Sequence, residues 1–110
     1  MTVEPLIQDL INRFNDKVDT DEKLRTELNG MDKKVLVDLE TEVYNFHLAS
    51  SKIQNLNTGS IDAPDITVMS DIETFRGIIE GKIKPMKAFA LRKVKIKGNI
   101  DDVLRLRKLF

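Results

Sequence analysis

Apolar residues recur at helical spacing near the start of the chain, as Leu6, Ile7, Leu10, Ile11 and Phe14. They lay a single apolar stripe along a helix that opens at Pro5, where the missing N–H costs nothing. Asp9, Asn12, Arg13 and Asp16 fill the other side. A shorter helix is predicted over 20–29, with Asp19 and Glu22 in capping-box spacing, Thr20 an equally good cap, and Gly30 placed to end it. Only Leu24 and Leu28 are apolar there, so this helix reads as peripheral. The period then drops to two. Val35, Val37 and Leu39 share one parity and predict a strand over 33–40. Tyr44, Phe46 and Leu48 then alternate with Asn45 and His47, the pattern of a half-buried strand. A weaker strand over 52–57 has Ile53 and Leu56 on opposite parities, so a bulge or an edge position is expected. Pro64 precedes a fourth strand over 65–69. Tight turns make the first three strands a meander.

Ser70 and Glu73 have the capping-box spacing that opens a helix over 71–80, with Ile72, Phe75, Ile78 and Ile79 along one stripe and Gly81 at its end. Lys84-Pro85 reopens a helical turn containing Met86, Ala88, Phe89 and Leu91. A strand over 93–97 follows. Asn99 is placed to cap a last helix on which Ile100, Val103, Leu104, Leu106 and Phe110 span a broad arc. The apolar residues of 75–110 outnumber what one strand needs for its own packing. Within that strand Lys93, Lys95 and Lys97 alternate with Val94 and Ile96, so its two faces are chemically opposite.

Charge sharpens this division. Residues 76–110 hold eleven Lys/Arg against three Asp/Glu, a net of +8, which leaves seven basic and fifteen acidic residues in 1–75 and a net of −8. Such a split suits contact with an anionic ligand or surface; halves that complement each other within one fold would give the same split. Three like charges on one strand face must be solvated, meet anions, or guard an edge against aggregation. Lipid headgroups fit that face, and an anionic membrane surface becomes a candidate partner. A nucleic-acid reading would need aromatics interleaved with the lysines to stack on bases, and the ladder has none.

Length and composition bound the rest. With 110 residues, 41% hydrophobic and 33% charged, the chain reads as one globular domain spanning 1–110. It has no cysteine, which excludes disulfides and thiolate metal sites. No signal peptide or apolar run long enough to span a bilayer is present, so a cytoplasmic location is expected. Catalytic constellations are missing. His47 is the single histidine, placed on a polar strand parity with no second ligand at suitable spacing. The run Gly77-Ile78-Ile79-Glu80-Gly81-Lys82 is one residue short of a phosphate loop, and Ile83 stands where Ser or Thr should hold the metal. We expect no enzyme, no cofactor and no metal.

The capped helix, Gly81-Lys82, the proline-containing connector, Ala88-Phe89 and the run Lys95-Ile96-Lys97-Gly98-Asn99 resemble the sterol carrier protein-2 family. The likeness is to a stand-alone prokaryotic member, with an archaeal source as the expectation. It is densest over 65–110 and extends in architecture over nearly the whole chain. It implies an α+β fold, a five-stranded mostly antiparallel sheet covered on one face by helices, with an apolar tunnel between the layers. It also implies non-catalytic binding or transfer of a lipid or acyl chain: fatty acid, fatty acyl-CoA or phospholipid. Carried onto this sequence, the tunnel candidates are Phe75, Ile78, Ile79, Met86, Phe89, Leu91, Val94, Ile96, Ile100, Val103, Leu104 and Phe110, with Lys93, Lys95 and Lys97 towards headgroups. Leu91-Arg92 stands where the family usually has a small residue and a glycine, and the chain ends at Phe110 without the longer tail of eukaryotic members. Both departures make sterol the less expected ligand. The alternatives are an interaction module docking a protein, membrane or nucleic acid through its basic segment, and an accessory domain of an acyl-CoA enzyme.

Overall fold

Five strands and the helices that cover one face of them make up the fold. The computed structural model describes residues 2–99 and 101–102. In chain order the elements are α1 (Glu4–Thr20), α2 (Glu22–Leu28), β1 (Lys33–Asp38), β2 (Val43–Ala49), β3 (Lys52–Thr58), β4 (Ile66–Ser70), α3 (Ile72–Ile79), α4 (Pro85–Ala90) and β5 (Val94–Gly98). The strands lie in the order β3-β2-β1-β4-β5. The β1–β4 pair is parallel and the other three are antiparallel. The expected meander is β1-β2-β3, and β3 is an outer strand whose register against β2 shifts between Asn45 and His47. Ile53 and Leu56 thus meet the sheet through an irregularity, as their opposed parities require. Of the last helix, Asp101 and Asp102 are described, and the Asp101 amide donates to Asn99 Oδ1 at 2.9 Å. Ile100, Val103, Leu104 and Phe110 lie outside the described residues.

Register decides which side chains the helices bury. Residues opposed across a ladder share a face. Val35 opposes Phe46 and Ile66, Val37 opposes Tyr44 and Val68, and Val68 opposes Ile96. That face is apolar. The alternate residues Lys34, Asn45, His47, Thr67, Lys95 and Lys97 lie on the other face, as do Leu36 and Met69. α1 covers the apolar face with Ile7, Ile11 and Val18, all buried. The stripe read as far as Phe14 therefore runs one turn further.

Two caps fall elsewhere than predicted, each one residue or more along. Asp19 and Thr20 remain helical because α1 continues through them, and the Thr20 hydroxyl donates back to the Lys17 carbonyl at 3.2 Å. Asp21 is the first extended residue, so its carboxylate receives the Leu24 amide at 3.0 Å. The Arg25 guanidinium meanwhile closes the end of α1 on the carbonyls of Val18 and Asp19, at 2.9 and 2.8 Å. Ser70 does not cap α3, because it still pairs with Val94 as the last residue of β4. Asp71 takes that role, receiving the Thr74 amide at 2.9 Å and the Thr74 hydroxyl at 2.6 Å.

Gly77 explains the phosphate-loop lookalike. It sits buried inside α3, where a Cβ would lie 2.5 Å from Ile83 Cδ1. Its carbonyl receives the amides of Lys82 and Ile83 at 2.8 and 3.0 Å. The glycine permits a chain reversal packed on its own helix rather than a cradle for phosphate.

Candidate functional site

Burial divides the apolar face into two parts. The large, fully buried apolar side chains, among them Val3, Leu28, Val35, Leu39, Tyr44, Leu48 and Ile66, fall between residues 3 and 66. Among the described residues beyond 66, Ala88 alone is a buried hydrophobic. Val68 and Ile96 on the sheet, and Ile72, Phe75 and Ile79 on α3, pack against the core while remaining half-buried. α3 and the β4–β5 strands therefore carry apolar side chains that the core leaves only partly covered. Leu6 and Phe14 of α1 and Phe46 of β2 border the same core in the same half-buried condition.

The candidate residues differ in burial. Phe75 and Ile79 of α3 and Ile96 of β5 each pack against the core. Ile78 and Val94 are half-buried. Met86, Phe89 and Leu91 are not enclosed at all, being 50%, 48% and 59% exposed. The side chains from α1 and β2 were not singled out from sequence, because a stripe lining a cavity and one packed on a core have the same spacing.

Two of the three lysines lie within β5. Lys95 and Lys97 oppose Met69 and Thr67 and stand exposed on the polar face of the sheet. Lys93 precedes β5, at the corner beside Asp71. There the Thr74 hydroxyl and amide hold the Asp71 carboxyl below its usual range, and the Lys93 charge adds to the effect. A groove bounded by Asp38, Glu40, Asp71, Arg92, Lys93 and Lys95 occupies this end of the sheet.

Polar side chains dominate the other face of the sheet. The 59–65 connection runs along it, tied by Asn45 Nδ2 to the Gly59 carbonyl at 2.9 Å and by the Lys34 amide to Asp65 Oδ2 at 2.8 Å. A second groove there is lined by Lys34, Asn45, Phe46, His47, Asn55, Asn57, Ile61 and Asp62. His47, on the polar parity of β2, meets the Asp32 carboxylate through Nε2. Among the described residues no group of three His, Cys, Asp or Glu side chains could hold a metal, and no helix is long and apolar enough to cross a membrane.

Comparison with known proteins follows this geometry. A family model described as the SCP-2 sterol transfer family matches residues 11–110. No curated protein is a significant match. The crystal structure of a sterol carrier protein 2 superposes with a TM-score of 0.68 at 14% identity, over 96% of this chain and 91% of that one. The solution structure of palmitated SCP2L2 from Aedes aegypti gives 0.64 at 19% identity, over 99% and 94%. The sec-alkylsulfatase Pisa1 from Pseudomonas sp. gives 0.58 at 19% identity over 77% of this chain, which spans only 13% of that enzyme's length. At these identities the likeness is one of fold.

Proposed function

The chain belongs to the SCP-2 sterol transfer family, and from that premise we propose that it is a non-catalytic carrier of a flexible acyl chain, free or as part of a phospholipid or acyl-CoA. The observation that carries this reading is the partly covered apolar surface of α3 and β4–β5. Phe75 and Ile79 of α3 and Val68 and Ile96 of the sheet each pack against the core while their apolar surface stays only partly covered. A methylene chain laid among them would remove that surface from water, at about 0.8 kcal/mol per methylene buried. The proposed site comprises Phe75, Ile78, Ile79, Val94 and Ile96 and opens towards Met86, Phe89 and Leu91. The buried polar side chains at the β4–α3 junction, Ser70 and Thr74, are already engaged with Asp71, so selectivity would be for chain length and flexibility. That favours acyl chains over the rigid sterol ring system, and a neighbour described as palmitated agrees with it. The absence of cysteine suits work in a reducing cytoplasm.

Extraction of the purified protein followed by lipid analysis, together with titration of a fluorescent fatty acyl probe, tests the proposal. Co-purified amphiphile or saturable micromolar binding is the expected result. A protein that emerges lipid-free and leaves the probe unbound would sink it. The sulfatase likeness favours a second reading, in which the same fold serves as an accessory domain of a larger enzyme. Co-purification of an acyl-CoA enzyme with a lipid-free chain would support that reading instead.

A further inference from the structure

The segment 82–93 carries five cationic side chains (Lys82, Lys84, Lys87, Arg92 and Lys93) and no acidic one. All five are exposed. Among the described residues Lys84, Lys87 and Arg92 make no ion pair, and Lys82 reaches Glu80 only at 3.8 Å. The same segment holds the exposed large hydrophobics of the described chain, Met86, Phe89 and Leu91. Helical geometry accounts for this pairing. Ala88 is buried and faces inward, while Met86 and Phe89, three residues apart, project from the opposite side of α4. Leu91 follows at the helix end. The corner is fixed by the Leu91, Arg92 and Lys93 amides on the carbonyls of Lys87, Phe89 and Ala88, at 3.0, 3.0 and 2.9 Å. Arg92 is held there at a φ of 60°, a conformation that a non-glycine residue adopts at a cost.

We propose that α4 and the corner after it form a docking knuckle for an anionic lipid bilayer, with Met86, Phe89 and Leu91 entering the acyl boundary and the five cations meeting headgroup phosphates. Charge complementarity selects this occupant. Apolar tips ringed by cations of one sign match a surface that is anionic outside and apolar just beneath. A nucleic acid offers the anions but no apolar layer for Leu and Met. A protein partner would have to bring an acidic rim around an apolar pocket to match the same ring. The knuckle also leads directly into β5, so a lipid leaving the bilayer there would meet Val94 and Ile96. In that respect the inference deepens the acyl-carrier reading and takes its purpose from it. It moves membrane contact away from Lys95 and Lys97, which lie on the polar face of the sheet opposite Met69 and Thr67.

Flotation of the full chain with phosphatidylcholine vesicles, with and without about 30% phosphatidylglycerol, tests the knuckle. Binding should require the anionic lipid and weaken as salt rises. M86S/F89S/L91S and, separately, K84E/K87E should each reduce it at least about tenfold, with the native circular dichroism spectrum retained at the assay temperature. K95E/K97E should cost less than either. Absence of anionic-vesicle binding, indifference to the knuckle substitutions, or an equal or larger loss with K95E/K97E would overturn the proposal. Acyl-probe binding by the unmodified protein in vesicle-free solution separates the two readings. Probe uptake without vesicle binding removes the knuckle alone, and vesicle binding without probe uptake removes the carrier alone.

Discussion

Tyr44 shows how a single side chain ties the N-terminus to the sheet. It is 2% exposed, and its hydroxyl donates to Glu42 Oε1, the same oxygen that receives the Val3 amide at 3.0 Å. Burial and then the Glu42 carboxylate push its pKa from 10.0 up to about 12. The folded state therefore holds the neutral phenol while the unfolded chain ionises near the ordinary value. This contribution is fully present below pH about 10 and is lost as pH rises towards about 12, at up to roughly 1.4 kcal/mol per pH unit. Lysines titrate in the same range, so the informative quantity is the difference from Tyr44→Phe, which has no phenol to ionise. Urea unfolding should show the unmodified protein losing stability relative to Y44F between pH 10 and 12. A constant difference across that range would contradict the arrangement. Tyr44 is the only tyrosine and the chain has no tryptophan, so the phenolate absorbance reports the same ionisation without overlap.

At the scale of elements, the outer strand β3 is held by a clip invisible in its own sequence. Asn15 on α1 donates through Nδ2 to the Ile53 carbonyl at 3.0 Å and receives the Ile53 amide on Oδ1 at 2.9 Å. The side-chain amide thus imitates a neighbouring strand for one residue. Asn15→Ala should cost about 2 kcal/mol, since two part-buried hydrogen bonds go at once. Hydrogen exchange at the Ile53 amide should rise out of proportion to the global loss; a uniform rise over the sheet would show the clip to be dispensable. Legibility from sequence follows the same division between local and distant causes. The periods of α1, β1 and β2 and the parity fault in β3 were readable because each is written in consecutive side chains. The parallel β1–β4 pairing was not, because it depends on where the 59–65 connection runs. The caps at Asp21 and Asp71 were missed for a related reason. An N-cap is chosen by where the preceding element stops, and α1 and β4 each run further than their spacing indicates. The stripe of α3 and the alternation of β5 were legible as pattern, and Phe75, Ile79 and Ile96 do pack against the core. Phe14 and Phe46 could not be told from ordinary core residues, since burial by a neighbour leaves no mark on local period.

Over the whole molecule, stability and ligand affinity should reside in different halves of the apolar face. The fully enclosed large side chains lie within residues 3–66, and the apolar residues of α3 and β5 are only partly covered. Removing a fully enclosed side chain leaves a cavity that the surroundings only partly fill, whereas removing a half-exposed one forfeits less. Leu48, which is 0% exposed, should therefore cost about 3 kcal/mol when changed to Ala, while leaving acyl-probe affinity nearly unchanged in the fraction that remains folded. Phe75→Ala should do the reverse, costing about 1–2 kcal/mol of stability in the lipid-free protein and weakening the probe several-fold. Linkage supplies an independent readout, because a ligand bound only by the folded state raises the melting temperature with its concentration. Saturating acyl ligand should raise that temperature for the unmodified protein and for Leu48→Ala alike, and raise it less for Phe75→Ala. If both substitutions reduced stability and affinity in the same proportion, the apolar face would be one continuous core, and the layer under α3 would have no claim to be the place where a chain is held.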